Sequence, residues 1–263
     1  MWDLFKANLC RLFRGLSVYI TLFILFAVST LIVTTRTADA VGNAHYGAET
    51  IQVILNGMSN MIHLMLALAI FVSGSMFADG TLERQASGVS RTKIYLSNLA
   101  ISSSIGVIFI LAFIAWAVIL GTVLRGFGSI PQGFWAEKIS ILGVQMILLL
   151  ALNALATLLV VAIRRTKIVV GVFFALLIAP RMIEVFSVFS AEPAQIRRFD
   201  IVHNIVIMAQ LPALHLSQIL QALILGVWVI ALTTFVGIQL FNAQGLQIKT
   251  SHFSTNLFLK TAR

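Results

Sequence analysis

The chain has 263 residues, of which 59% are apolar and 10% charged, with 18 basic and 9 acidic residues and a net charge of +9. Soluble domains carry roughly 25% charged residues, so a water-facing surface is excluded, and so is disorder, because this much apolar surface cannot stay hydrated. The mean hydropathy of +1.00 points to an integral membrane protein built from spans of about 20 residues each.

An amphipathic helix is expected over residues 1–15. At 100° per residue, Trp2, Phe5, Leu9, Leu12, Phe13 and Leu16 fall in one sector of about 100°, while Asp3, Asn8, Arg11 and Arg14 point elsewhere. Such a helix lies in the membrane interface. The lone cysteine, Cys10, makes no internal disulfide and fits no zinc or iron–sulfur pattern.

Six apolar segments follow, at about 16–33, 58–77, 94–124, 139–163, 168–189 and 216–240. The first starts after the amphipathic stretch and no small-residue cleavage site follows it, so it reads as an uncleaved span and not as a signal peptide. Residues 34–57 and 190–215 are expected to be loops on one side, and 164–167 a short link on the other. The fifth span is expected to break at Pro180, which removes a backbone donor. Residues 241–263 form a basic tail.

Basic residues set the orientation. Lys6, Arg11, Arg14, Arg84, Arg91, Lys93, Arg164, Arg165, Lys167, Lys249, Lys260 and Arg263 fall on one side, with only Asp3, Asp79 and Glu83 to offset them. Arg36, Arg125, Lys138, Arg181, Arg197 and Arg198 fall on the other, matched by six acids, so one side holds the whole net charge of +9. The positive side is cytoplasmic. This explains the basic balance without nucleic acid as a partner.

The loop after the second span carries the most information. Asp79 is placed to cap a short helix starting near Gly80, and Gly88 to end it. Ser90 is placed to cap the third span, with Arg91 and Lys93 at the interface. Leu82 and Ala86 share one face of the short helix, which leaves Glu83 and Arg84 free to meet something else.

The stretch DGTLERQASGVSRTKIYLSNL resembles the corresponding loop of type-two ABC exporter permeases, closest to the bacterial branch that exports lantibiotics and other amphipathic peptides. Gly80-Thr81, Ser90-Arg91 and Tyr95 carry the likeness. Many relatives place an acid several positions before the Gly-Thr pair, where this chain has Ser75-Met76-Phe77-Ala78. The resemblance implies an all-α inner-membrane permease with six spans, an interfacial N-terminal helix, a broken fifth span and both termini in the cytoplasm. It implies a coupling helix formed by Asp79, Gly80, Thr81, Leu82, Glu83, Arg84, Gly88, Ser90 and Arg91, docked on a nucleotide-binding ATPase subunit. Two such ATPase subunits and a second permease copy or a related permease would be its partners. The cargo would be an antimicrobial or cytolytic peptide, or alternatively a lipid-like compound or drug.

None of the lysines follows a glycine, so no phosphate loop of the Gly-x-x-x-x-Gly-Lys type can form. ATP and Mg are therefore expected on the partner, with no cofactor, metal or catalytic residue in this chain. No His-Glu-x-x-His pattern occurs, and His45, His203, His215 and His252 are expected in loops or near the tail. An ion-coupled carrier or channel, the alternative from another class, needs charges deep in its spans. Here the nearest is Glu184, with Arg181 three residues before it on the same helix face.

Two candidate sites for cargo remain. Asn56, Asn60 and His63, spaced by four and three, share one helical face that Ala67 and Gly74 continue. They form either a polar wall of a substrate path or interhelical amide contacts. Pro180, Arg181 and Glu184 are candidates for an outer gate. Asn153 and Thr157, with Ser102–Ser104, are expected to hydrogen-bond between helices.

Overall fold

The computed structural model describes Lys6, Cys10 and residues 16–35, 47–78, 90–130, 132–187, 199–210 and 216–260. Among these residues the chain is helical and has no strand. In order come α1 (Leu16–Thr35), α2 (Gly47–Asn56), a 3-10 turn (Met58–Met61), α3 (Ile62–Ala78), α4 (Arg91–Arg125), α5 (Phe134–Ile163), α6 (Thr166–Ser187), α7 (Ile201–Gln210) and α8 (Leu216–Lys260). All six apolar segments are helical where described. Of the expected N-terminal helix, Lys6 and Cys10 are helical and exposed.

Among the described residues three helices are long and apolar enough to cross a membrane: Arg91–Arg125, Phe134–Ile163 and Leu216–Ala243. The bent pair Gly47–Asn56 and Met58–Gly74 makes a fourth if counted as one span. α5 is the centre of the bundle. Of its most apolar stretch 61% is buried, against 28% in α4 and 17% in α8. The outer helices turn large apolar side chains outward, among them Ile108, Ile119 and Val123 on α4 and Val227, Trp228 and Phe235 on α8. A face of that kind suits acyl chains and not water.

In lipid, apolar burial drives helix association weakly, so small residues and hydrogen bonds decide the crossings. A Cβ on Gly121 would meet the Thr50 Oγ1 at 2.6 Å and the Gly47 Cα at 3.3 Å. One on Gly47 would overlap Thr122. The two glycines thus bring α2 against the end of α4. The Gly47 and Ala48 amides, left without partners at a helix start, donate to the carbonyls of Gly126 and Phe127 at 3.0 and 3.1 Å. Gly126, at φ 82° and ψ 167°, takes an extended positive-φ conformation that only glycine adopts readily, and its amide closes α4 on the Thr122 carbonyl.

Three sequence expectations are corrected, on residues 34–57, on residues 190–215 and on the fifth span. Residues 34–57 are not simply a loop, because α2 buries Ala48, Thr50, Ile51, Ile54 and Leu55. Residues 190–215 are not simply a loop either: α7 buries Val202, Ile205, Met208 and Ala209, and it carries His203 on a helix. The second span, expected at 58–77, is helical, and α2 leads into it through a 60° bend at Gly57. The fifth span does not break at Pro180, since α6 runs through it to Ser187. α8 runs on from the sixth apolar segment through most of the expected tail, for 45 residues to Lys260. That is about 68 Å at 1.5 Å per residue, twice the thickness of a bilayer core.

Candidate functional site

The three residues of the expected polar wall all lie on the outside of the described bundle. Asn56, Asn60 and His63 are all exposed, and Ala67 and Phe71 continue the stripe along α3. Glu49, exposed at the start of α2, extends it the other way. The 60° bend falls within the stripe, with Glu49 and Asn56 before it and Asn60, His63, Ala67 and Phe71 after it. His63 lies against Phe174 of α6, with ring centroids 5.4 Å apart, which sets the wall beside the fifth apolar segment. The amides are not buried glue within this chain. A polar face on a membrane segment is stable against protein or water and not against acyl chains.

What holds the wall in shape is a pair of amides that the spacing argument passed over. Gln52, on α2, donates from Nε2 to Asn56 Oδ1 at 3.0 Å and to the Ala209 carbonyl at 2.6 Å. Ala209 is in the last turn of α7, where carbonyls lack helical partners. Gln145, on α5 and fully buried, donates from Nε2 to the Leu55 carbonyl at 3.0 Å and to the Ile205 carbonyl at 2.8 Å. Both side chains thus join α2 to α7, and Gln145 fixes the pair to the central helix. Gln145 was visible as a lone amide in the run ILGVQMILLLAL, but its targets are set by elements far off in sequence.

The same carbonyl explains the bend. Gly57 closes α2 by donating to Val53 and Ile54 at 3.2 and 2.9 Å. In a continuous helix the Leu55 carbonyl would accept from Ser59, four residues on. An unpaired carbonyl in a hydrocarbon setting costs several kcal/mol, and the Gln145 amide removes that cost. At the start of α7, Asp200 Oδ1 accepts from the Val202 amide at 2.8 Å, and the Asn204 side chain donates to the Asp200 carbonyl at 2.8 Å. This carboxylate cap lets a ten-residue helix begin in a buried position.

The junction after the expected coupling helix lies at the opposite end of α4. Asp79, Gly80, Thr81, Leu82, Glu83, Arg84 and Gly88 fall outside the described residues. Ser90 and Arg91 are described. Ser90 sits at the cap position with extended backbone, but its hydroxyl makes no capping bond, which corrects that expectation. Its carbonyl accepts instead from Lys93 and Ile94 at 3.0 and 3.3 Å. Arg91 reaches the Phe241 carbonyl at 3.5 Å, and Asn242 reaches the Thr92 hydroxyl at 3.4 Å. Tyr95 packs with Ile94, Val161 and Phe241, and its ring occupies the space that a side chain on Gly237 would fill. The segment that leaves the loop is thereby seated on α8.

Pro180 is half-buried within α6. Arg181 and Glu184 are helical, three residues apart, and their side chains fall outside the described set. Asn153 bonds Ser102 and Ser103 at 2.9 and 3.0 Å, as expected of an interhelical amide. Thr157 Oγ1 is buried without a partner. Among the described residues no group of three or more His, Cys, Asp or Glu is placed to hold a metal ion.

No protein-family model matches the chain, and no curated protein matches it.

Proposed function

We propose that this chain is the six-span permease subunit of an ATP-driven exporter in a bacterial inner membrane, moving amphipathic or apolar substrates out of the cell. Antimicrobial or cytolytic peptides are the first substrate class to test. The observation that carries the reading is the stretch from Asp79 to Leu99, whose Gly80-Thr81, Ser90-Arg91 and Tyr95 resemble the coupling loop of type-two permeases. The seating of Arg91, Thr92 and Tyr95 on α8 supports it, because force applied to the loop has a rigid path into the bundle. Spans nearly free of charge support it too, since ion coupling needs titratable or charged groups at depth.

In this reading ATP and Mg bind two separate nucleotide-binding subunits, and their closure moves the helix at 79–88. The polar wall of Asn56, Asn60 and His63 faces the central path and is completed by a second permease copy or a related one. Pro180, Arg181 and Glu184 stand near the outer exit. Both termini are cytoplasmic.

The test is purification of the membrane complex with a co-expressed ATPase, comparing wild type with Glu83→Ala and Arg84→Ala. The expected result is co-purification in all three, with peptide stimulation of ATP turnover lost in the variants. A chain that is stable alone and binds no ATPase overturns the reading.

A further inference from the structure

We infer that Gln145 is a positioning residue that sets the shape of the polar wall by holding the second span bent. The inference rests on the exporter reading only for what the wall does, not for the bend itself. Three observations carry it. The bend of 60° lies at Gly57, between Asn56 on one arm and Asn60 and His63 on the other. Gly57 does not impose the bend, because its φ of −89° is open to any residue and a Cβ there meets nothing nearer than 3.6 Å. What the bend requires is a donor for the Leu55 carbonyl, and Gln145 Nε2 supplies it at 3.0 Å.

The arrangement has two stable forms. With the amide in place, Leu55 is satisfied from the side and the chain turns through Met58–Met61. With the amide withdrawn, the same carbonyl is satisfied by the Ser59 amide along the helix, and residues 47–78 become one straight span. Gln145 also bonds the Ile205 carbonyl, and Gln52 bonds the Ala209 carbonyl, so α7 is drawn into the same choice. Gln145 Oε1 and Gln52 Oε1 are both buried without a partner. Each amide is thus engaged through its nitrogen alone, with half of its capacity unmatched. The polar wall then has a bent form, in which Glu49 and Asn56 are turned away from the line of α3, and a straight form, in which they extend it.

The test is a distance measurement by pulsed EPR on the full chain in lipid nanodiscs, without any ATPase. Spin labels are placed at Glu49 and Phe71, which are exposed on the two arms, in a Cys10→Ser background. Opening the 60° bend between arms of about 12 and 21 Å lengthens this distance by about 4 Å. Gln145→Leu removes the donor and should give the longer distance. Gln145→Asn, which keeps an amide but is one methylene short of both carbonyls, should do the same and serves if the leucine variant does not fold. An unchanged distance in either folded variant overturns the inference.

A second readout separates the wall from the bend. In a complex whose ATPase responds to peptide, Gln145→Asn should raise the half-maximal peptide concentration by about threefold or more with maximal turnover unchanged, the pattern of lost binding. A shifted distance with an unshifted concentration overturns the role in the wall. A shifted distance with no ATPase response in wild type removes the exporter reading and leaves the positioning role standing.

Discussion

Two segments of this protein meet the same question in opposite ways. The second apolar segment has no proline, yet it bends by 60° at Gly57. The fifth has Pro180 in its interior, yet α6 runs from Thr166 to Ser187 without a break. Proline removes one donor, toward the Leu176 carbonyl, and in membrane helices neighbouring groups and small local adjustments absorb that loss. At Gly57 the ladder is interrupted where the flanking carbonyl already has a partner in Gln145. A helix therefore breaks where the bundle offers substitute hydrogen bonds, and a missing donor alone does not break it.

The comparison can be broken most forcefully at the glycine contact between α2 and α4. Gly121→Val places a side chain against Thr50 and Gly47. It should cost about 1–3 kcal/mol through overpacking, read as a loss in unfolding free energy in mixed micelles. It should also loosen the 47–56 arm while leaving α6 untouched, which local hydrogen exchange reports. A uniform loss of protection across both segments would mean that the bent segment is not an independent feature.

A smaller effect is expected at Pro180. Pro180→Ala restores the missing amide, and because the helix is already continuous the gain should fall well below the roughly 3 kcal/mol that an interior proline costs in an isolated helix. Increased exchange protection near Leu176 and a modest rise in unfolding free energy are the expected readings. A large gain would show that Pro180 strains α6 after all.

The smallest effect is expected at Gly57. Gly57→Ala should change stability by no more than about 1 kcal/mol, the helix propensity difference, and should leave the distance between labels at Glu49 and Phe71 as in wild type. A longer distance in this variant would move the cause of the bend from Gln145 to the glycine. Read together, Gly57→Ala and Gln145→Asn separate backbone permissiveness from side-chain support.

The candidate site was legible to different depths. Asn60 and His63 were readable as neighbours on one face because helical spacing is local, and both are exposed, but the bend that sets Asn56 apart from them was not readable. Asn153 was readable as an interhelical donor because an amide in an apolar run needs a partner, and Ser102 and Ser103 supply it. The Ser90 cap was misjudged, since the hydroxyl has the right position and makes no bond. Gln52 and Gln145 were missed because their acceptors are main-chain carbonyls of α2 and α7, and carbonyls carry no signature in sequence. The helices over 47–56 and 201–210 were read as loops for a related reason. Ten residues are too few to cross a bilayer, and neither segment shows in its own sequence that the spans will bury it.

The sequence by itself determined that this is an apolar helical protein with helices long enough to cross a membrane, where those helices lie, and how its charge is divided between the segments that join them. These follow from composition and from periodicity, which act over neighbouring residues. Only the tertiary structure decided where a helix bends, which short segments are buried beside the spans, and that Tyr95 and Arg91 rest on the last helix. Each of those outcomes depends on a donor, an acceptor or a missing side chain supplied by a distant part of the chain. In a low-dielectric bundle the satisfaction of one buried carbonyl outweighs the local preference of several residues.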